Sequence, residues 1–144
     1  MSFAIHVAAT WFMCGLIWTI QIVHYPLFAA VGDEAHTAYH AAHMQRITWL
    51  VLPVMLLELG TGLWLWWQHV QGPTSVPGTP ATWWWLMGAL GLIWLSTALL
   101  QVPQHEALTR GADAVLVDRL VLGNWVRTGL WTLRALTLLT LMSR

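Results

Sequence analysis

Charge is what this sequence has least of. Only 8% of its 144 residues are Asp, Glu, Lys or Arg, lysine is absent, and six basic residues balance six acidic ones to a formal net charge of zero. A soluble domain carries roughly 25% charged residues, so water is excluded as the solvent for most of this surface. No basic stretch exists to follow a phosphate backbone, which excludes nucleic acid as a partner. The single cysteine, Cys14, cannot close an intramolecular disulfide and reads as a small buried hydrophobe. Glu-x-x-His pairs are missing, and Glu58 is the only carboxylate inside an apolar run. Together these exclude the carboxylate-bridged di-iron site that some four-helix bundles build. The first apolar run has neither a charged n-region before it nor a small-residue cleavage site, so it is expected to be a retained span.

What is present is apolar length: 58% of the residues are hydrophobic and the mean hydropathy is +0.61. Segment one runs from about Phe3 to Phe28 and stops at Pro26, Gly32 and Asp33, with Asp33 expected to cap the next helix. Segment two opens as an interfacial helix from Glu34 to Arg46 and continues to about Gln68, with a kink expected at Pro53. An uncharged Pro/Gly/Thr/Ser loop, 71–81, follows. Segment three runs from Trp83 past Pro103 to Thr109, and segment four from Asp113 to Met142. Each apolar run is near the roughly 20 residues that cross about 30 Å of hydrocarbon. The expected fold is all-α: an integral membrane four-helix bundle forming a single domain over 1–144. Tryptophans near the Pro-rich loop, including Trp66, Trp67 and Trp83 to Trp85, fit an aromatic belt at headgroup level.

The polar side chains gather at one end of these segments, and do so twice. Gln21, His24 and Pro26 close the first segment, and His43, Arg46 and Trp49 open the second. Gln101, Pro103, Gln104 and His105 close the third, while Asn124, Arg127 and Trp131 open the fourth. Aligning Gln21 with Gln101 sets His24 opposite Gln104, and a shift of one or two residues then brings His43 and Arg46 over Asn124 and Arg127. This predicts two tandem helical hairpins, about 1–70 and 82–144, related by a parallel pseudo-twofold axis along the membrane normal with a cleft between them. Arg46, Arg110 and Arg119 flank the short connections and Arg144 the other end, so the short loops are expected to be cytoplasmic and both termini outside a multi-pass cell-membrane protein.

His36, His40 and His43 follow i, i+4, i+7 and share one helix face, a spacing that can chelate a transition metal. His24, His40, His43 and His105 are the expected ligands of an iron or copper ion or of haem b, with Arg46 and Arg127 available to propionates. Gln21, Gln101, Gln104 and Asn124 would orient cofactor or substrate. Glu58 and Arg134, the deepest charges, are expected to pair, and His6 and His69 are expected at the opposite membrane face, away from the site.

The segments WTIQIVHYPLF, YHAAHMQRITWLVLP, QVPQH and NWVRTGLW resemble the small four-helix membrane proteins related to anthrone oxygenases, over nearly the whole chain. That resemblance implies oxidation of a hydrophobic aromatic molecule and assigns no catalytic residues. The opening FAIHVAATWFMCGL also resembles HemJ-type protoporphyrinogen oxidase, which implies haem binding in which His6 takes part, although that family's later lysine has no counterpart here. The expected function is a membrane-embedded oxidoreductase acting on an aromatic or isoprenoid molecule from the bilayer through a haem or His-bound metal. A cofactor-free enzyme with a histidine base and an oligomeric transporter or permeation subunit are the alternatives. Gly88 and Gly91 offer a small-residue face to a second copy in a homo-oligomer.

Overall fold

The computed structural model describes residues 1–111 and 113–143, which leaves Arg144, used above for orientation, outside the described residues. Four helical rods hold most of the chain, with no strand among the described residues. They are α1 (Ser2–Ala30), α2 (Asp33–Val70), α3 (Pro80–Leu108) and α4 (Ala114–Met142). The first three are long and apolar enough to cross a membrane. The fourth has 29 residues and carries Asp118, Arg119, Arg127 and Arg134. The charged stretches that open the second and fourth segments are helical, and the 38 residues of α2 extend about 57 Å at helical rise.

Local chemistry fixes the helix ends. Asp113 caps α4, accepting from the backbone N–H groups of Val115 at 2.9 Å and Leu116 at 3.2 Å. Thr79 caps α3 in the same way through Thr82, with Pro80 in the first turn. At α2 the cap position falls on Gly32, whose extended backbone starts the helix, and Asp33, the expected cap, is already helical. Pro53 sits inside an uninterrupted helix. The loop before α3 folds over Trp83, whose indole N–H donates to the Pro77 carbonyl at 2.9 Å. Gly78, at φ +107°, is required there, since a Cβ would sit 3.1 Å from the Trp83 ring nitrogen.

Two widened turns interrupt the odd-numbered helices. Ile20–His24 in α1 and Thr97–Gln101 in α3 are π-helical, and each lies just ahead of a proline, Pro26 or Pro103. Proline lacks an N–H and its ring crowds the carbonyl four residues back, which a wider turn relieves. Superposing the two turns sets Gln21 against Ala98 and His24 against Gln101, a different register from the one that aligns Gln21 with Gln101.

α1 and α3 each pack against α2 and α4, closing a ring of four rods. Spatial neighbours around the ring run antiparallel: Thr61 lies against His6 and His43 against His24, while Thr132 lies against Trp18 and Asn124 against Gln21. Met13, Ile17, Met55, Ile93, Leu120 and Trp131 form the centre of the main core. Gly88 and Gly91 meet nothing inside the bundle; the close approaches are at Gly62, where a Cβ would come within 3.0 Å of His6, and at Gly123.

The expected charge pair forms. Arg134 Nη2 lies 3.0 Å from Glu58 Oε1 with both side chains fully buried. Thr10 donates to the same oxygen at 2.7 Å, and the Trp131 indole donates to Oε2 at 3.0 Å. Arg134 also donates to the Leu86 carbonyl, so every helix supplies a member. His6 is completely buried, 3.4 Å from Arg134 Nη2 and 3.0 Å from the Thr61 hydroxyl. It packs inside the bundle as part of this core cluster, away from the clustered histidines. Removing one partner of a buried pair strands a charge, so Glu58→Ala or Arg134→Ala should each cost about 3–5 kcal/mol. The double replacement Glu58→Leu with Arg134→Met should recover most of it in micelle unfolding followed by near-ultraviolet dichroism; simple addition of the two losses would contradict the coupling.

Candidate functional site

The face of α2 that carries Glu58 also carries His36, His40 and His43, and all three imidazoles are buried. His36 stacks on His40 with centroids 5.8 Å apart, while His40 and His43 meet α1 and α3 around Phe28. Its ring is buried, with centroids 5.0 Å from His43, 5.2 Å from His24, 5.4 Å from His40 and 6.4 Å from His105, all near edge-to-face. His24 Nε2 and His43 Nδ1 are 2.7 Å apart. His40 Nε2 and His105 Nδ1 are 3.1 Å apart, and the other nitrogen of His105 lies 2.9 Å from the Tyr25 hydroxyl. The π turn places His24 toward α2 and Tyr25 toward α3, although the two are adjacent in sequence.

A second polar group adjoins the histidines. Gln21 donates to the Val121 carbonyl at 3.1 Å and accepts from Asn124 Nδ2 at 2.9 Å and from the Thr128 hydroxyl at 3.4 Å. Arg127 donates to Asn124 Oδ1 at 3.3 Å and lies 5.2 Å from the centre of the Trp131 ring. Because Trp131 also binds Glu58, the chamber and the deep ion pair are joined through one side chain.

Several buried atoms here have no partner among the described residues: both amide atoms of Gln101, Gln104 Oε1, Arg127 Nε, both nitrogens of His36, His40 Nδ1 and His43 Nε2. An unsatisfied buried polar group costs about 1–3 kcal/mol, so a molecule that bonded to these atoms would be stabilised here. The Gln101 amide lies against α4 where Gly123 has no side chain, since a Cβ there would come 3.2 Å from its nitrogen. Gln101 and Arg127 line a cavity of about 290 Å³ between α2 and α3. Met44, Ile47, Val51, Met55 and Trp94 form apolar walls, with Tyr25 and His105 at the polar end. A second groove of about 470 Å³ lies between α1 and α2, beside His24, His43 and Arg46.

Of the residues singled out from sequence, Gln21, His24, His40, His43, Gln101, His105, Asn124 and Arg127 come together. Gln104 is half-buried beside Gly123. Arg46 is exposed on the second groove, apart from Arg127. Among the described residues no three His, Cys, Asp or Glu side chains are arranged to hold one metal ion; the imidazoles face one another in two separate pairs. Tyr25, Phe28 and Thr128 are the members that residue type alone did not reveal as site residues, because aromatic and hydroxyl groups are ordinary in such helices.

No family model, curated protein or solved structure matches the chain.

If Phe28 is the spacer that holds four imidazoles apart, Phe28→Ala should cost about 3–5 kcal/mol and shift the side-chain nitrogen resonances of His24, His40, His43 and His105 together. Trp49→Ala, on the outer surface, should change stability by no more than about 0.5 kcal/mol. Unmoved histidine resonances in the Phe28 variant would refute the spacer role.

Proposed function

We propose that this chain is a four-span membrane enzyme, built from hairpins 1–70 and 82–144 about a parallel pseudo-twofold, that oxidises a small apolar ring molecule entering between α2 and α3. The observation that carries the reading is the polar end of the 290 Å³ cavity, where the unpaired Gln101 amide and Arg127 meet apolar walls and are backed by the Tyr25, His105 and His40 chain. The volume suits a small ligand. Apolar walls bind its body, and Gln101 Nε2 and Arg127 donate to an oxygen on the ring.

A cation without a carboxylate partner stabilises negative charge that develops on that oxygen. Tyr25 can accept a proton from the substrate while passing its own to His105 Nε2, and His105 stays oriented by His40 through Nδ1. An activated CH₂ beside the oxygen-bearing ring would thus lose a proton to give a delocalised carbanion. Dioxygen adds to that carbanion, and the peroxide that results loses water, so that R₂CH₂ and O₂ become R₂C=O and H₂O. This is a cofactor-free form of the chemistry that the resemblance to anthrone oxygenases implies. A second reading, in which haem or a metal ion carries the electrons, draws on the unpaired nitrogens of His36, His40 and His43.

Anthrone is the probe. Purified protein should consume oxygen with it and form the quinone, with no loss after chelator treatment. His105→Gln and Tyr25→Phe should each lower the rate about 10²-fold or more, and Arg127→Gln by about 10²–10³-fold. Wild-type rates in all three would reject the assignment, and a Soret band or stoichiometric metal in the purified protein would favour the second reading. The arginine distribution puts the short loops in the cytoplasm; an alkaline phosphatase fused after Met142 should be active, and a cytoplasmic reporter fused there silent.

A further inference from the structure

The groove between α1 and α2 is separate from the cavity assigned to the ring substrate: Ile20 and Ile47 line both and stand between them. Its walls follow one face of each helix. Leu16, Thr19, Ile20 and Val23 come from α1, and Tyr39, Ala42, His43, Arg46, Ile47 and Leu50 from α2. Thr19 and Ala42 are the small side chains that leave the space between the rods unfilled.

The chemistry of the groove is graded along its length. The end toward Leu16 and Leu50 is apolar, while the other carries Tyr39, Arg46, His24 and His43. His43 is about nine-tenths buried and its Nε2 has no partner among the described residues. Arg46 is exposed with no carboxylate partner among them, and no Asp or Glu lines the groove. The side chains around its mouth are apolar and exposed: Val23, Leu27, Trp49 and Leu50. That surface faces acyl chains, not water, in a chain with helices long enough to span a bilayer.

We propose that this groove is a binding site for a phospholipid with an anionic headgroup. One acyl chain lies along Ile20, Ile47 and Leu16, and the phosphate sits at the Arg46 end. A guanidinium and imidazole N–H groups are the donors that a phosphate accepts from, and a cation at the headgroup level favours an anionic over a zwitterionic lipid. The site is independent of the reaction assigned to the other cavity, and binding there needs no turnover.

Native mass spectrometry with an equimolar mixture of phosphatidylglycerol and phosphatidylcholine tests it. The intact protein should retain one phosphatidylglycerol in preference, roughly fivefold for the one arginine. Arg46→Gln should bring the two lipids to parity, while Arg119→Gln, an exposed arginine away from the groove, should leave the preference unchanged. Ala42→Phe fills the groove from an exposed position and should abolish retention with the melting temperature unaltered. Equal retention of both lipids by the wild type, the same preference in Arg46→Gln as in Arg119→Gln, or full retention in Ala42→Phe would each overturn the site.

Discussion

The buried pair of Glu58 and Arg134 is the constraint on which the rest of the bundle depends. Neither charge can remain unpaired at that depth, and the pair is tolerable only because the carboxylate receives donors from Thr10, Trp131 and Arg134 together. Those donors come from α1 and α4, Arg134 also reaches the Leu86 carbonyl on α3, and the carboxylate itself belongs to α2. Meeting these bonds fixes the rotation of every helix about its own axis. His40 lies eighteen residues before Glu58 in the sequence, which is five helical turns, about 27 Å along the same face. Fixing Glu58 therefore turns His40 and its neighbours inward. On α4 the same holds for Asn124, Arg127 and Trp131, which share the face of Arg134.

The two polar zones linked by Trp131 differ in how well they are satisfied. Around Glu58 both carboxylate oxygens are bonded, and Arg134 Nε is the one charged-group atom without a partner. That zone binds helices together. At the short-loop end, both atoms of the Gln101 amide, the Gln104 oxygen, a guanidinium nitrogen and four imidazole nitrogens are left over among the described residues. A structural cluster would be expected to close its own bonds, and the surplus is the observation on which the proposed site rests.

Much of this was legible in the sequence because helical rise converts residue number into depth. The four segments, the charge pair and the gathering of histidines and amides at one end all follow from counting along apolar runs. Rotation is harder to count. Each π turn adds to the residues in a turn and shifts every side chain beyond it around the axis, so a regular 3.6-residue period carried through Gln21 or Gln101 assigns the wrong faces afterwards. That is why Tyr25 is invisible as a partner of His105, and why the register matching Gln21 to Gln101 differs from the one the two turns define. His6 lies away from the clustered histidines, as its position predicts, and its burial comes from the contacts it makes with Arg134 and Thr61.

Taken with the proposed repeat, the register set by the π turns puts unlike polar groups in equivalent places of the two halves. His24 and Gln101 then occupy equivalent places at the ends of equivalent turns. His24 meets His43, so one of its nitrogens is bonded within the protein. Gln101 meets the bare backbone of Gly123 and an apolar cavity, so its amide finds nothing. The framework is shared, but the imidazole of His24 meets another imidazole, of which Nε2 stays unpaired, whereas both atoms of the Gln101 amide are left without a partner among the described residues. On the proposed function the ring molecule therefore binds between α2 and α3, while the His24 and His43 pair faces the groove proposed for the lipid.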